Sequence, residues 1–140
     1  MGGVQVKQCA VLIINGRDEQ TTLAEEFERR GFRAVETRQW PEDDDVQGHE
    51  VVILVLRHVN TMCMLAARLR AKRGFGQRVL IAVSPTIPDS GALRDGLVSG
   101  FDDVLAESCG ARILLARVLQ RLRARPQYRC LLPDRKRPAA

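Results

Sequence analysis

The chain has 140 residues, of which 45% are hydrophobic, 28% charged and only 4% aromatic, with a net charge of +5. That length suits one domain with a single core, and the composition is that of a globular protein whose core is aliphatic. No run approaches the ~20 apolar residues of a membrane span. Residues 1–7 lack the basic and apolar segments of a secretory leader, so the expectation is a cytoplasmic protein without membrane contact.

Cys9, Cys63, Cys109 and Cys130 are scattered, with no Cys-x-x-Cys pair and no histidine at ligand spacing. This pattern indicates neither a zinc site nor a disulfide framework and predicts buried, reduced thiols. Acid collects at Glu42-Asp43-Asp44-Asp45, whereas base dominates from Arg112 to Arg137. A basic C-terminal region could meet nucleic acid or an acidic partner, but a solvated helix face followed by a disordered tail is the favoured reading.

In chain order, Cys9 to Ile14 is an apolar run ahead of Asn15-Gly16, a strand ending in a turn. Asp18 is placed to cap a helix from Glu19 to Arg30, with Leu23, Ala24 and Phe27 on one face and Gly31 at its end. Phe32 to Glu36 reads as a short second strand. Pro41 and Gly48 then bracket a segment without apolar periodicity, so a loop or single turn is expected in place of a second crossover helix.

Val51 to Leu56 reads as a buried third strand. Met62, Leu65, Ala66 and Leu69 follow the spacing of an amphipathic helix, which Gly74 and Gly76 end. Arg78 to Val83 is a fourth strand, followed by a loop from Ser84 to Ser90 and a short helix from Gly91 to Val98 that Gly100 closes. Asp103 to Ala106 is a brief fifth strand. Leu114, Leu115, Val118, Leu119 and Leu122 mark one face of a last helix ending before Pro126.

This alternation predicts an α/β fold: a doubly wound, five-stranded parallel sheet in a three-layer sandwich, with a shortened or missing second helix. Residues 1–7 are an extension, 8–125 the domain, and 126–140 a basic, proline-containing tail expected to be disordered. Ligands of such sheets gather at the carboxyl ends of the strands. Those ends are Asn15 to Arg17, Arg57-His58, Ser84-Pro85 and Glu107-Ser108.

Three segments carry a resemblance. Glu28-Arg29-Arg30-Gly31-Phe32-Arg33-Ala34-Val35, Asp95-Gly96-Leu97-Val98-Ser99-Gly100-Phe101-Asp102-Asp103-Val104-Leu105 and Leu114-Leu115-Ala116-Arg117-Val118 resemble, in order and spacing, the receiver domain of two-component response regulators. The second is the most specific, with two glycines and paired aspartates at the family's spacing. The resemblance covers about residues 8–125 and implies a flavodoxin-like, receiver-like fold.

It also implies a pocket that has lost its chemistry. The family's metal-holding acidic pair falls on Asn15 and Gly16, its phosphorylatable aspartate on Val55, its reporting hydroxyl on Ser84, its switching aromatic on Val104 and its lysine on Glu107. Only Ser84 keeps the family's functional group. A valine cannot carry an acyl phosphate, a glycine offers magnesium no ligand, and a glutamate in place of lysine repels a phosphoryl group. Arg17 and Arg57 lie near the same end of the sheet, so an ion pair of one of them with Glu107 is a candidate substitute for the metal and lysine.

The resemblance with these losses implies an atypical receiver in two-component or phosphorelay signal transduction. It would be a phosphorylation-independent interaction or regulatory module, not an enzyme, with no cofactor and no metal. The family's partner face implies a protein partner or second copy meeting the last two helices and fifth strand, with Arg94, Arg117, Arg121 and Arg125 as candidate contacts. The alternative is a nucleic-acid-binding regulator using the basic last helix and tail, for which stacking aromatics are limited to Tyr128. A flavodoxin-like small-molecule binder would want a glycine-rich phosphate loop, and Asn15-Gly16-Arg17-Asp18 offers one glycine.

Overall fold

The computed structural model describes residues 8–132. Its strands β1 (Ala10–Asn15), β2 (Arg33–Thr37), β3 (Val51–Val55), β4 (Val79–Ser84) and β5 (Asp103–Ala106) form one parallel sheet in the order β2-β1-β3-β4-β5. β1, β3 and β4 are buried along their length, and apolar but for Asn15 and Ser84 at their carboxyl ends, because helices cover both faces. Val11 and Ile13 of β1 join the core beneath α1 (Leu23–Arg29) and α5 (Gly110–Arg123). Leu12 and Ile14 join the opposite core beneath α2 (Asp43–Gln47), α3 (Met62–Arg70) and α4 (Ser90–Ser99). The doubly wound three-layer architecture is the one expected.

Packing explains the helices. α5 buries Leu114, Leu115, Val118 and Leu122 along one stripe, each contributing about 2 kcal/mol by removal from water. Phe27 of α1 meets Phe32 edge to face at 5.4 Å, locking the helix against the entry to β2. Asp89 caps α4 by accepting from the Ala92 amide at 2.7 Å. The paired glycines around α4 have separate causes. A Cβ on Gly96 would lie 2.8 Å from Met62 Cε and 2.9 Å from Val104 Cγ2, whereas Gly100 holds φ at +129°.

Several local expectations are corrected. α1 begins at Leu23, not at Glu19, and Asp18 does not cap it. Thr21 is held instead by Glu36 of β2, which accepts from its backbone amide at 3.1 Å and from its hydroxyl. The acidic run forms a five-residue helix. Asp45 accepts from the Glu42 amide at 3.1 Å, Val46 is buried beneath, and the carboxylates sit in the first turn, where the helix dipole favours them. This is the shortened second helix.

In place of the disordered tail expected from residue 126, Pro126–Leu131 is a 3-10 helix. Tyr128 and Leu132 pack against the α1/α5 core, and Leu131 is buried in it. The expected extension over 1–7, and the remainder of the tail over 133–140, lie outside the described residues. Of the four thiols only Cys9 is buried; Cys63 and Cys109 are half-buried and Cys130 is exposed.

At the amino end of β5, Asp102 gathers three partners distant in sequence. Its carboxylate accepts from Arg70 Nη2 at 3.2 Å, Arg125 Nη2 at 2.8 Å and the Leu80 amide at 2.8 Å. Arg70 also donates to the carbonyls of Gly100 and Arg78, and Arg125 to those of Gln77 and Arg121. The ends of α3 and α5 are thereby tied to the start of β4 and β5. Arg125, expected on an interaction face, is instead an internal clamp.

Candidate functional site

The strand order reverses direction between β1 and β3, so the crevice beyond their carboxyl ends is where this topology places ligands. The ladder runs to the last residues, with Asn15 opposite Val55 and the Gly16 amide donating to the Val55 carbonyl at 2.9 Å. A Cβ on Gly16 would lie 3.1 Å from that carbonyl oxygen, so an acid at this position would crowd the β3 backbone.

Asn15 is buried and fully engaged. Its Nδ2 donates to the Glu19 carbonyl at 2.7 Å and to Glu36 Oε2 at 3.1 Å, while its Oδ1 accepts from the Arg17 amide at 2.9 Å. The side chain shapes the loop after β1 and belongs to a network with Thr21 and Glu36. Val55, which the resemblance matches to the family's acceptor, is 2% exposed and packs in the α1/α5 core. Ser84 is fully buried, its hydroxyl donating to the Thr86 carbonyl at 2.6 Å and closing its own loop. Val104 lies in the opposite core.

Four of the six matched positions, Asn15, Val55, Ser84 and Val104, are thus buried, with their side chains spent in the core or in their own loops. What lies open at this end of the sheet is a cleft of about 220 Å³ bounded by Arg17, Asp18, Glu19, Leu56, Arg57 and Pro85. A second, of about 330 Å³, runs from Arg17 and Glu19 to Glu107 and the start of α5. Arg17 borders both.

Of the two candidate arginines, Arg17 meets Glu107. Its Nη1 donates to Glu107 Oε1, joining the exit of β1 to the exit of β5. The hydrogen-bonded carboxylate raises the pKa of the Arg17 guanidinium further above its already high value. Arg57 turns to Asp18 at 3.7 Å and does not meet Glu107. The side chains of Arg17 and Glu107 are 27% and 45% exposed, so the pair fixes direction more than it stabilises.

The remaining arginines divide. Arg94 is exposed beside Asp95 at 4.0 Å, and Arg117 lies 3.7 Å from Asp103. Arg121 is half-buried with Nε unpartnered among the described residues. Exposed apolar side chains accompany them, Leu97 and Val98 on α4 and Ile113 on α5. Among the described residues no cluster of three metal-ligating side chains is present, and no helix is long and apolar enough to cross a membrane.

Sequence reasoning missed the Asn15–Thr21–Glu36 network and the Asp102 clamp. Both join residues more than twenty positions apart, through side chains whose types are common on surfaces. The paired aspartates of Gly100-Phe101-Asp102-Asp103 were the one visible trace of the second.

Order, connectivity and site position together define the fold as that of response-regulator receiver domains. No family model matches the chain, and no curated protein matches it. Solved structures do. A response regulator from Thermotoga maritima superposes with a TM-score of 0.67 at 15% identity, over 81% of this chain and 97% of its own. An orphan response regulator of H. pylori gives 0.64 at 20% identity, over 81% and 96%. A further match, with TM-score 0.61 and 23% identity over 81% and 95%, is an atypical orphan response regulator described as revealing a phosphorylation-independent regulatory mechanism.

Proposed function

We propose that this chain is a pseudo-receiver: a cytoplasmic, non-enzymatic signalling module that works by binding and takes no phosphoryl group. The observation that carries the reading is Val55, a core residue sealed beneath α1 and α5 where a phosphorylatable receiver presents its nucleophile. Supporting it, Asn15 and Ser84 spend their polar atoms inside their own loops, and Glu107 is held by Arg17. The pair spans the exits of β1 and β5, the two places that a metal and lysine would bridge through a phosphate, and so holds that end of the sheet in one state without either.

Output on this reading passes through α4, β5 and α5, where Arg94 and Arg117 are exposed alongside Leu97, Val98 and Ile113. A protein partner or second copy would cover the apolar side chains and pair with the arginines. The nucleic-acid alternative is weakened because Arg125 is spent internally.

The test is incubation of the purified protein with magnesium and acetyl phosphate, followed by intact mass, with an aspartate-bearing receiver as control. The expected mass is unchanged while the control gains one phosphoryl group; a gain here overturns the proposal. Sedimentation of the protein and its Val98→Glu variant, alone and with candidate partners, tests the output face.

A further inference from the structure

The shortened second helix leaves part of the sheet uncovered. Val35 points from β2 toward the α2/α3 layer, yet is 49% exposed. Beside it a groove of about 230 Å³ has Leu12, Val35, Trp40 and Pro41 among its apolar walls and Glu42, Asp45 and His49 among its polar lining. It lies between edge strand β2 and α2, at the opposite edge of the sheet from β5.

The charges near the groove are lopsided. Arg68 sits 4.5 Å from the Trp40 ring centroid and Lys72 5.9 Å, with Lys72 also 3.4 Å from Asp43. Glu42, Asp44 and Asp45 have no cationic partner among the described residues. Asp45 accepts from the Glu42 amide and the Glu42 carboxylate from the Asp45 amide, so each carboxylate spends one acceptor on the cap and keeps the other for a ligand. On a chain of net charge +5, an apolar groove lined by carboxylates without a cationic partner calls for an occupant that is itself both apolar and cationic.

We propose that this groove docks an extended basic segment of a partner protein. An apolar side chain of that segment lies against Val35 and Leu12, and an arginine or lysine reaches the Glu42 and Asp45 carboxylates beside the Trp40 ring. The two carboxylates act on that cation by charge-assisted hydrogen bonds, since Arg68 already lies over the Trp40 ring. The binding site does not use the phosphorylation end of the sheet or the α4–β5–α5 face, so it stands independently of the proposed function.

Trp40 is the chain's one tryptophan, so its emission reports the groove directly. The probe is a synthetic eight-residue peptide alternating arginine and leucine, titrated into the full chain; the control replaces each arginine by glutamate. The expected result is a saturable change in emission with the basic peptide only, weakening as salt rises. Glu42→Gln with Asp45→Asn keeps the capping acceptors and should weaken binding about tenfold. Val35→Lys, at a half-exposed site that tolerates a long side chain, should abolish it, with circular dichroism showing that both variants remain folded.

No emission change, or equal binding by these folded variants, overturns the proposal. Emission that depends on protein concentration without peptide would place a second copy in the groove. Binding that appears only after Arg135, Lys136 and Arg137 are replaced by serine would place the chain's own basic run there. Either result also overturns it.

Discussion

Replacing Asp102 by alanine tests how the frame beneath the site is held. The carboxylate accepts from Arg70, Arg125 and the Leu80 amide, and the side chains of Asp102, Arg125 and Arg70 are only 16%, 15% and 27% exposed. Breaking a buried charge pair by removing one partner costs about 3–5 kcal/mol, and leaving a buried amide unpaired costs about 1–3 kcal/mol. Both guanidiniums keep carbonyl acceptors, and part of Arg70 stays in water. The expected loss is therefore smaller than the sum, about 3 kcal/mol. That is a large share of the roughly 5–15 kcal/mol of a typical domain, yet leaves the variant folded. Urea unfolding should show a lower midpoint with an unchanged slope. Asp43→Ala, which removes the more exposed carboxylate near Lys72, is the control and should cost less than about 1 kcal/mol. A loss as small as the control's for Asp102→Ala would show that the clamp is a surface pair and refute the assignment of Arg125 to the interior.

Two further outcomes follow from packing and burial. Leu131→Asp puts a carboxylate where a side chain is 8% exposed against the α1/α5 core; a loss of about 2–4 kcal/mol in urea unfolding is expected, and a neutral result would mean that the 3-10 helix is not part of the domain. Burial pushes the Cys9 thiol up from its ordinary 9.0 to about 12, with Glu50 adding to the effect, so the unfolded state loses its proton first as pH rises. The Cys9 contribution to stability is present in full below pH 9 and is lost progressively toward pH 12. Tyr128, also raised mainly by burial, adds to the same direction. Denaturation midpoints should fall across this range and fall less steeply in Cys9→Ala; parallel slopes for the two proteins would contradict the burial argument.

The centre of the sheet was legible because β1, β3 and β4 are nearly unbroken apolar runs between turn residues, a pattern that survives without any knowledge of tertiary contacts. α3, α4 and α5 were legible to within a few residues for the same reason. α1 was misjudged at its start because Asp18 has the chemistry of a cap, whereas Glu36, fifteen residues beyond Thr21, holds the following segment out of the helix. α2 lacks a periodic apolar face since one buried side chain, Val46, is enough to seat five residues. At the candidate site the identities of Asn15, Val55 and Glu107 could be read directly. That the Asn15 amide is consumed by Glu19 and Glu36, and that Glu107 meets Arg17 and not Arg57, depends on loop geometry that no spacing encodes.

If the phosphorylation end is disabled at several positions at once, returning the nucleophile alone should not restore it. Val55→Asp would place a carboxylate at a position 2% exposed within an aliphatic core, where desolvation favours the neutral acid and weakens the nucleophile. Nearby it would find an asparagine whose amide is already committed, a glycine with no ligand to offer magnesium, and the negative charge of Glu107. The single variant should therefore take no phosphoryl group from acetyl phosphate. Adding Asn15→Asp and Glu107→Lys supplies one metal ligand and a cation for the acyl phosphate, and frees Arg17 from its partner. Intact mass of the triple variant should then show partial phosphorylation, removable by hydroxylamine as an acyl phosphate would be. If Val55→Asp alone were labelled as fully as an aspartate-bearing receiver, the other substitutions would be bystanders. The Arg17–Glu107 pair would then have no part in holding this end of the sheet in one state.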